Sequence, residues 1–240
     1  MSFRQTVTIV ASPRERVGKT LLARLLIDFH LSENRAAAGF DLDPGARSFA
    51  RFLPEHVNTA SIDDIQGQMA LFDRLVAADD VNKVVDLGHA SFDRFFEVAH
   101  RLGVAEEAVR RSIAPTVLYV LSPDPAGLEG YRMLRRRFPA MTLNPVHNEL
   151  FGSLHQREAH PLLETGTTVL RLPALAPALR RYIETPPFSF AEARLADATA
   201  IPLAAHIELQ RWLRRVHVEF RELDLRILLA DLSASIRPSS

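Results

Sequence analysis

A chain of 240 residues suits one large α/β domain or two small ones, and 47% hydrophobic with 24% charged side chains is ordinary globular composition. Its 29 basic and 29 acidic residues cancel, so no bulk charge advertises nucleic acid, and the absence of cysteine excludes a disulfide framework, a thiolate metal site and a cysteine nucleophile. No run approaches 18 apolar residues and no leader-like segment opens the chain, so a soluble, cytoplasmic protein with no membrane association is expected.

The β-branched run from Thr6 to Val10 predicts a strand, which enters a loop closing on Gly18-Lys19-Thr20. A helical pattern follows over about 19–32. A buried strand is expected over 37–42, a short helix over 46–53 stopped by Pro54, and an amphipathic helix over 61–78. The next strand is 81–87, followed by helical segments at 92–102 and 105–112. Thr116 to Leu121 is a nearly continuous apolar strand of the kind covered on both faces. SPDPAG leads into a helix through Arg137, then a strand edge at 140–144, a helix at 149–163, a strand at 167–172 and a helix at 173–183. The irregular TPPFSF precedes a long terminal helix over 202–229, and SASIRPSS reads as a disordered tail. Strands alternating with helices predict a doubly wound α/β fold, a mostly parallel sheet with helices on both faces. One domain is the simplest organisation: a core over 1–185, a helical part over 186–232 and the tail over 233–240.

Strand, loop, GKT, helix is the setting of a phosphate-binding loop. Loop N–H groups and the positive end of the new helix surround a phosphate, Gly18 permits close approach, Lys19 supplies a compact charge and the Thr20 hydroxyl ligates Mg²⁺. The chain's only lysines are Lys19 and Lys83, so a lysine stands where a compact ammonium suits phosphate better than a guanidinium fork. An ordinary turn with a solvated lysine is the plain alternative. Asp41-Leu42-Asp43-Pro44 closes the second strand, where an α/β sheet binds ligands; a helix cap with a turn proline is its plain alternative. Asp86 ends the hydrophobic strand VVDLG, the pattern of a Walker B aspartate.

In the order GKT, DxDP, hhhD these motifs resemble the ParA/MinD group of deviant-Walker P-loop ATPases (the SIMIBI class, shared with the iron protein of nitrogenase and dethiobiotin synthetase). The resemblance runs over roughly residues 5–185 through IVASPRERVGKT, GFDLDPGA, VVDLGHASFD, VLYVLSPDPAGLEG and MTLNPVHNELFG. It implies a P-loop NTPase fold that binds ATP and Mg²⁺ through Pro13, Arg14, Glu15, Arg16, Val17, Gly18, Lys19, Thr20 and Leu21. It implies that Thr20, Asp41 and Asp86 serve the metal, and that Lys19, Arg14 and Asp43 carry the catalytic work, Asp43 by positioning the attacking water. Asn144 would hydrogen-bond adenine, and Leu172, Pro173 and Ala174 would line the base pocket. Asn144 precedes Pro145-Val146-His147 rather than an Asn-Lys-x-Asp-like element, which favours adenine over guanine.

The departures lie in the loop. The family's signature lysine falls on Arg14, its glycines on Glu15 and Arg16, and Pro13 removes an N–H donor; Gly88-His89 replace a proline pair. Nine scattered histidines have no ligand spacing. Arg132, Arg135, Arg136 and Arg137, with Arg211, Arg214 and Arg215, are candidates for nonspecific DNA contact, solvated helix faces being the plain reading. The expectation is a partitioning or positioning ATPase that forms a nucleotide-dependent homodimer. The alternatives are a degenerate P-loop scaffold without turnover, or a small-molecule kinase or ligase of the dethiobiotin-synthetase type.

Overall fold

A computed structural model describes residues 4–43, 45–122, 124–151, 168–194 and 201–236, with the side chains of the last stretch described to 229. Seven strands form one sheet: β1 (Thr6–Ala11), β2 (Ala37–Asp41), β3 (Val57–Thr59), β4 (Asn82–Asp86), β5 (Ala114–Val120), β6 (Thr142–Asn148) and β7 (Leu170–Leu172). Their order is β3-β2-β4-β1-β5-β6-β7. All pairings are parallel, so the expected doubly wound sheet is observed.

β1 is central, and its alternate side chains feed two cores. Val10 joins Leu22, Leu26 and Phe29 of α1 (Lys19–Ser32) on one face, with Trp212, Val216 and Phe220 of the terminal helix beneath them. Val7, Ile9 and Ala11 join the other face. Covering that side are α3 (Ile65–Leu75), α4 (Phe92–Arg101), α5 (Val104–Arg110) and α6 (Pro125–Arg137). This alternation is what a strand buried on both faces requires. The small α2 (Ser48–Phe52) follows β2; α7 (Pro177–Ile183), α8 (Phe190–Arg194) and α9 (Leu203–Ile236) close the chain.

Several boundaries differ from the sequence expectation for local reasons. The helix expected from 61 starts at Ile65 because Asp64 caps it, accepting from the Gly67 N–H at 2.7 Å. α7 starts at Pro177, in the first turn where a missing N–H costs nothing, rather than at Pro173. β6 runs on to Asn148 through Pro145; the strand read as ending at Asn144 was cut short by that proline. The three-residue β3 has too few side chains to show alternation and went unread. α9 continues through Ile236, into the stretch read as a disordered tail; residues 237–240 lie outside the described residues, as does most of the helix expected over 149–163.

Candidate functional site

The carboxyl ends of β1, β2 and β4 meet. The Leu87 N–H donates to the Val10 carbonyl (3.1 Å) and the Leu42 N–H to the Asp86 carbonyl (3.0 Å), so the loops after these strands leave the sheet side by side. Gly88 lets them touch: a Cβ there would come within 3.0 Å of Asp43 Cα. Between them and the start of α1 lies a cleft of about 450 Å³. Glu15, Arg16, Gly18, Lys19, Thr20 and Leu21 line it from the loop side. Asp43 and Asp86 face them, with Ala46 and Ser48, two positions not singled out from sequence, and His89 of the Gly88-His89 pair.

The loop turns into α1 through left-handed backbone at two residues. Gly18 has φ +99 and Arg16 has φ +58. Glycine adopts such angles freely, whereas Arg16 does so at a cost of roughly 1 kcal/mol. Lys19 is buried, its ammonium donating to the Arg14 carbonyl. Burial lowers its pKa, opposed by the charges of Asp86, Asp43 and Glu15. The Thr20 hydroxyl donates to Asp86 Oδ2 at 2.6 Å. Burial pushes the Asp86 carboxyl up to about 7, with the Thr20 hydrogen bond pulling the other way. The second lysine serves structure: Lys83 pairs with Asp79 and caps the Ala77 carbonyl.

The two carboxylates of DxDP divide their tasks. Asp41 is buried, and its oxygens accept the Asp43 and Ala50 N–H groups, each at 3.0 Å. It therefore holds the turn into α2 and does not line the cleft. Asp43 Oδ1 accepts the Gly45 and Ala46 N–H groups at 3.1 and 3.2 Å and does line it. Among the described residues no group of three or more His, Cys, Asp or Glu side chains is placed to hold a metal ion by itself. A hydroxyl and one carboxylate, completed by phosphate oxygens and water, form the kind of partial shell that Mg²⁺ accepts.

Arg14 points away. Its guanidinium pairs with Asp124 Oδ1, at 2.8 Å from Nε and 2.6 Å from Nη2. The same Asp124 oxygen caps α6 through the Ala126 and Gly127 N–H groups. The Arg14 contact holds the Asp124 carboxyl well below the usual carboxylate range. Pro13 faces α6, its Cγ 3.3 Å from where a Cβ on Gly130 would lie.

At the other side of the loop, Asn144 sits mid-strand opposite Leu118, buried, with its amide 3.5 Å from the Thr142 carbonyl. The asparagine that reaches the loop is Asn148, at the carboxyl end of β6: its Nδ2 donates to the Val17 carbonyl at 3.0 Å and lies beside Gly18. A strand expected to end at Asn144, before Pro145, leaves Asn148 outside it; the strand-end position of an amide is the signal that marks it. Leu172 also approaches Gly18, its Cδ2 4.0 Å from where a Cβ would stand. The Pro173 carbonyl accepts the Trp212 indole N–H at 2.9 Å, and Ala174 is exposed beside Glu149, which accepts its N–H at 3.4 Å.

No protein-family model matches the chain, and no curated protein matches it in sequence. Among solved structures it resembles the MinC:MinD cell division protein complex of Aquifex aeolicus, with TM-score 0.53 and 13% identity over 87% of this chain and 95% of that one. Looser superpositions are found with FlhF complexed with GTP/Mg²⁺ (TM-score 0.41, 16% identity, 70% of this chain and 64% of that one). Signal recognition particle 54 kDa protein from Aeropyrum pernix K1 in complex with GDP gives TM-score 0.45 and 14% identity, over 89% of this chain and 50% of that one. The fold is a ParA/MinD-like P-loop fold. No described helix is long and apolar enough to cross a membrane.

Proposed function

We propose that this chain binds ATP with Mg²⁺ in the cleft at the head of α1, dimerises when nucleotide is bound and hydrolyses it slowly, as a positioning or partitioning ATPase of the ParA/MinD kind. The observation that carries the reading is the Thr20–Asp86 hydrogen bond beside Lys19, because it joins a loop hydroxyl, a strand-end carboxylate and a buried ammonium in one cleft. Bound Mg²⁺ would supply positive charge against phosphate oxygens, held by Thr20 with Asp86 in its shell. Lys19 would leave the Arg14 carbonyl for the outer phosphates, and Asp43 would orient water. Arg14 would have to leave Asp124 to reach a partner subunit's nucleotide. Asn148 and Leu172 take the base side of the loop in this reading, in place of Asn144. Nonspecific DNA contact through the exposed arginines of α6 is a further part of it, testable by its steep salt dependence.

Calorimetry with ATP and Mg²⁺ tests the nucleotide step. Wild type should bind, and Lys19→Ala should lose binding by a factor of roughly a hundred. A second reading, a scaffold without turnover, is favoured by one observation: Glu15 and Arg16 occupy the cleft wall where the resembled pattern has glycines. Wild type that folds yet takes up no nucleotide selects that reading.

A further inference from the structure

Two local facts require glycine at position 18. Its φ is +99, and a Cβ there would lie 2.5 Å from Asn148 Nδ2. Asn148 ends β6, buried and in register with Leu172 of β7. Its amide is satisfied at both ends. Nδ2 donates to the Val17 carbonyl at 3.0 Å and Oδ1 accepts the Leu150 N–H at 3.1 Å, which leaves the group one orientation. A side chain 131 residues away along the chain therefore grips the loop.

The effect of that grip follows from the geometry of one peptide. The Val17–Gly18 bond is trans, so its C=O and N–H point in opposite directions. With the carbonyl drawn to β6, the Gly18 N–H is turned away from β6, and Gly18 lines the cleft beside Lys19 and Thr20. That N–H donates to no other described residue. α1 also starts without a side-chain cap, which leaves its first-turn N–H groups open next to it. Were this peptide to flip, a carbonyl oxygen would replace the donor, and a phosphate attracted by the one is repelled by the other.

We propose that Asn148 is a positioning residue for the phosphate cradle: by holding the Val17 carbonyl, it aims the Gly18 N–H at a phosphate oxygen in the cleft. This rests on the nucleotide-binding reading above and adds to it a residue that acts through the loop. Nδ2 keeps a second hydrogen, so a contact with the base is a separate role. Ligands with and without a base tell the two apart.

Tripolyphosphate with Mg²⁺ carries the phosphates of ATP and no base. By calorimetry wild type should bind both ligands. Asn148→Leu, uncharged and close in size, should lose affinity roughly thirtyfold, and by the same factor for each. Asn148→Asp keeps the acceptor for Leu150 but, ionised, offers Val17 no donor; it should lose at least as much. In ¹⁵N-labelled wild type the Gly18 amide proton should move downfield as tripolyphosphate binds, a readout that depends on no variant folding. In Asn148→Leu it should not move, with the amide signals of β1 and β5 unchanged. Variants that bind tripolyphosphate as tightly as wild type overturn the proposal, even where their affinity for ATP falls. So does a wild-type Gly18 amide that bound tripolyphosphate leaves in place. A folded wild type that binds neither ligand overturns the nucleotide-binding reading itself, and this one with it.

Discussion

Asp86 is the residue on which stability and chemistry oppose one another. Its carboxyl is buried at the end of β4 with one hydroxyl donor, and its pKa in the folded chain, about 7, lies above the ordinary carboxylate value. The unfolded chain therefore ionises first as pH rises. Stability from this group is full below about pH 4 and is lost progressively towards pH 7, the folded chain holding the extra proton across that window. Asp86→Asn keeps an acceptor for Thr20 and removes the charge. We expect it to match wild type near pH 4 and to be more stable by roughly 2 kcal/mol at pH 8, measured by urea denaturation without nucleotide. Under the proposed function, a cation bound beside Asp86 would offset that cost by favouring the ionised carboxylate. Arg16 makes the complementary point: the left-handed turn survives there although the residue is not glycine. The sequence showed the substitution, but whether the loop would keep its course depended on contacts with Asn148 and α6 that local pattern does not encode.

At the scale of elements, α1 carries both the cleft and the clamp on the C-terminal part of the chain. Arg24 is buried, stacks over Phe52 at 3.6 Å and Phe190 at 5.0 Å, and donates to the Ile183 carbonyl at 2.9 Å. Burial lowers its pKa to about 9. Arg24→Ala empties a space among Phe52, Phe188 and Phe190 and leaves the Ile183 and Phe188 carbonyls without its donors. We expect a loss of about 3 kcal/mol in denaturant melts, with proteolysis appearing first between α7 and α8. Nothing in the sequence marked Arg24 as buried, since a lone arginine in an amphipathic helix reads as solvated. The neighbouring Asp28 is similar: it meets His217 of α9 at 3.0 Å and Arg194 of α8 at 3.3 Å, partners far away along the chain. The helices and strands with strong periodicity, α1, β4 and β5, lie close to where the sequence puts them. The differences fall at β6, β3 and the start of α7, where proline or brevity hides the pattern, at the start of α3, set by its Asp64 cap, and at the end of α9, which runs on through Ile236.

Across the whole molecule the architecture was legible because it is repetitive: six parallel pairings need crossover helices, and the sequence alternates accordingly. The roles of the site residues were less so. Glycine, lysine, threonine and Asp86 converge on one cleft as their spacing suggests, whereas Arg14 and Asp41 are taken up by contacts with Asp124 and with the turn into α2. Motif spacing states which residues are near a loop; it does not state which neighbours already hold them. The strand that bears the loop is also the one with the most distant neighbours. Val7 pairs with Lys83 on one side and Pro115 on the other. A chain ended after α5 should therefore remain open to protease over its first forty residues, and one ended after β7 and α9 should be protected there. As these residues are made, β1, its loop, α1 and β2 emerge before either strand that flanks β1, so the loop at the head of α1 takes its place in a sheet only once β4 and β5 have followed.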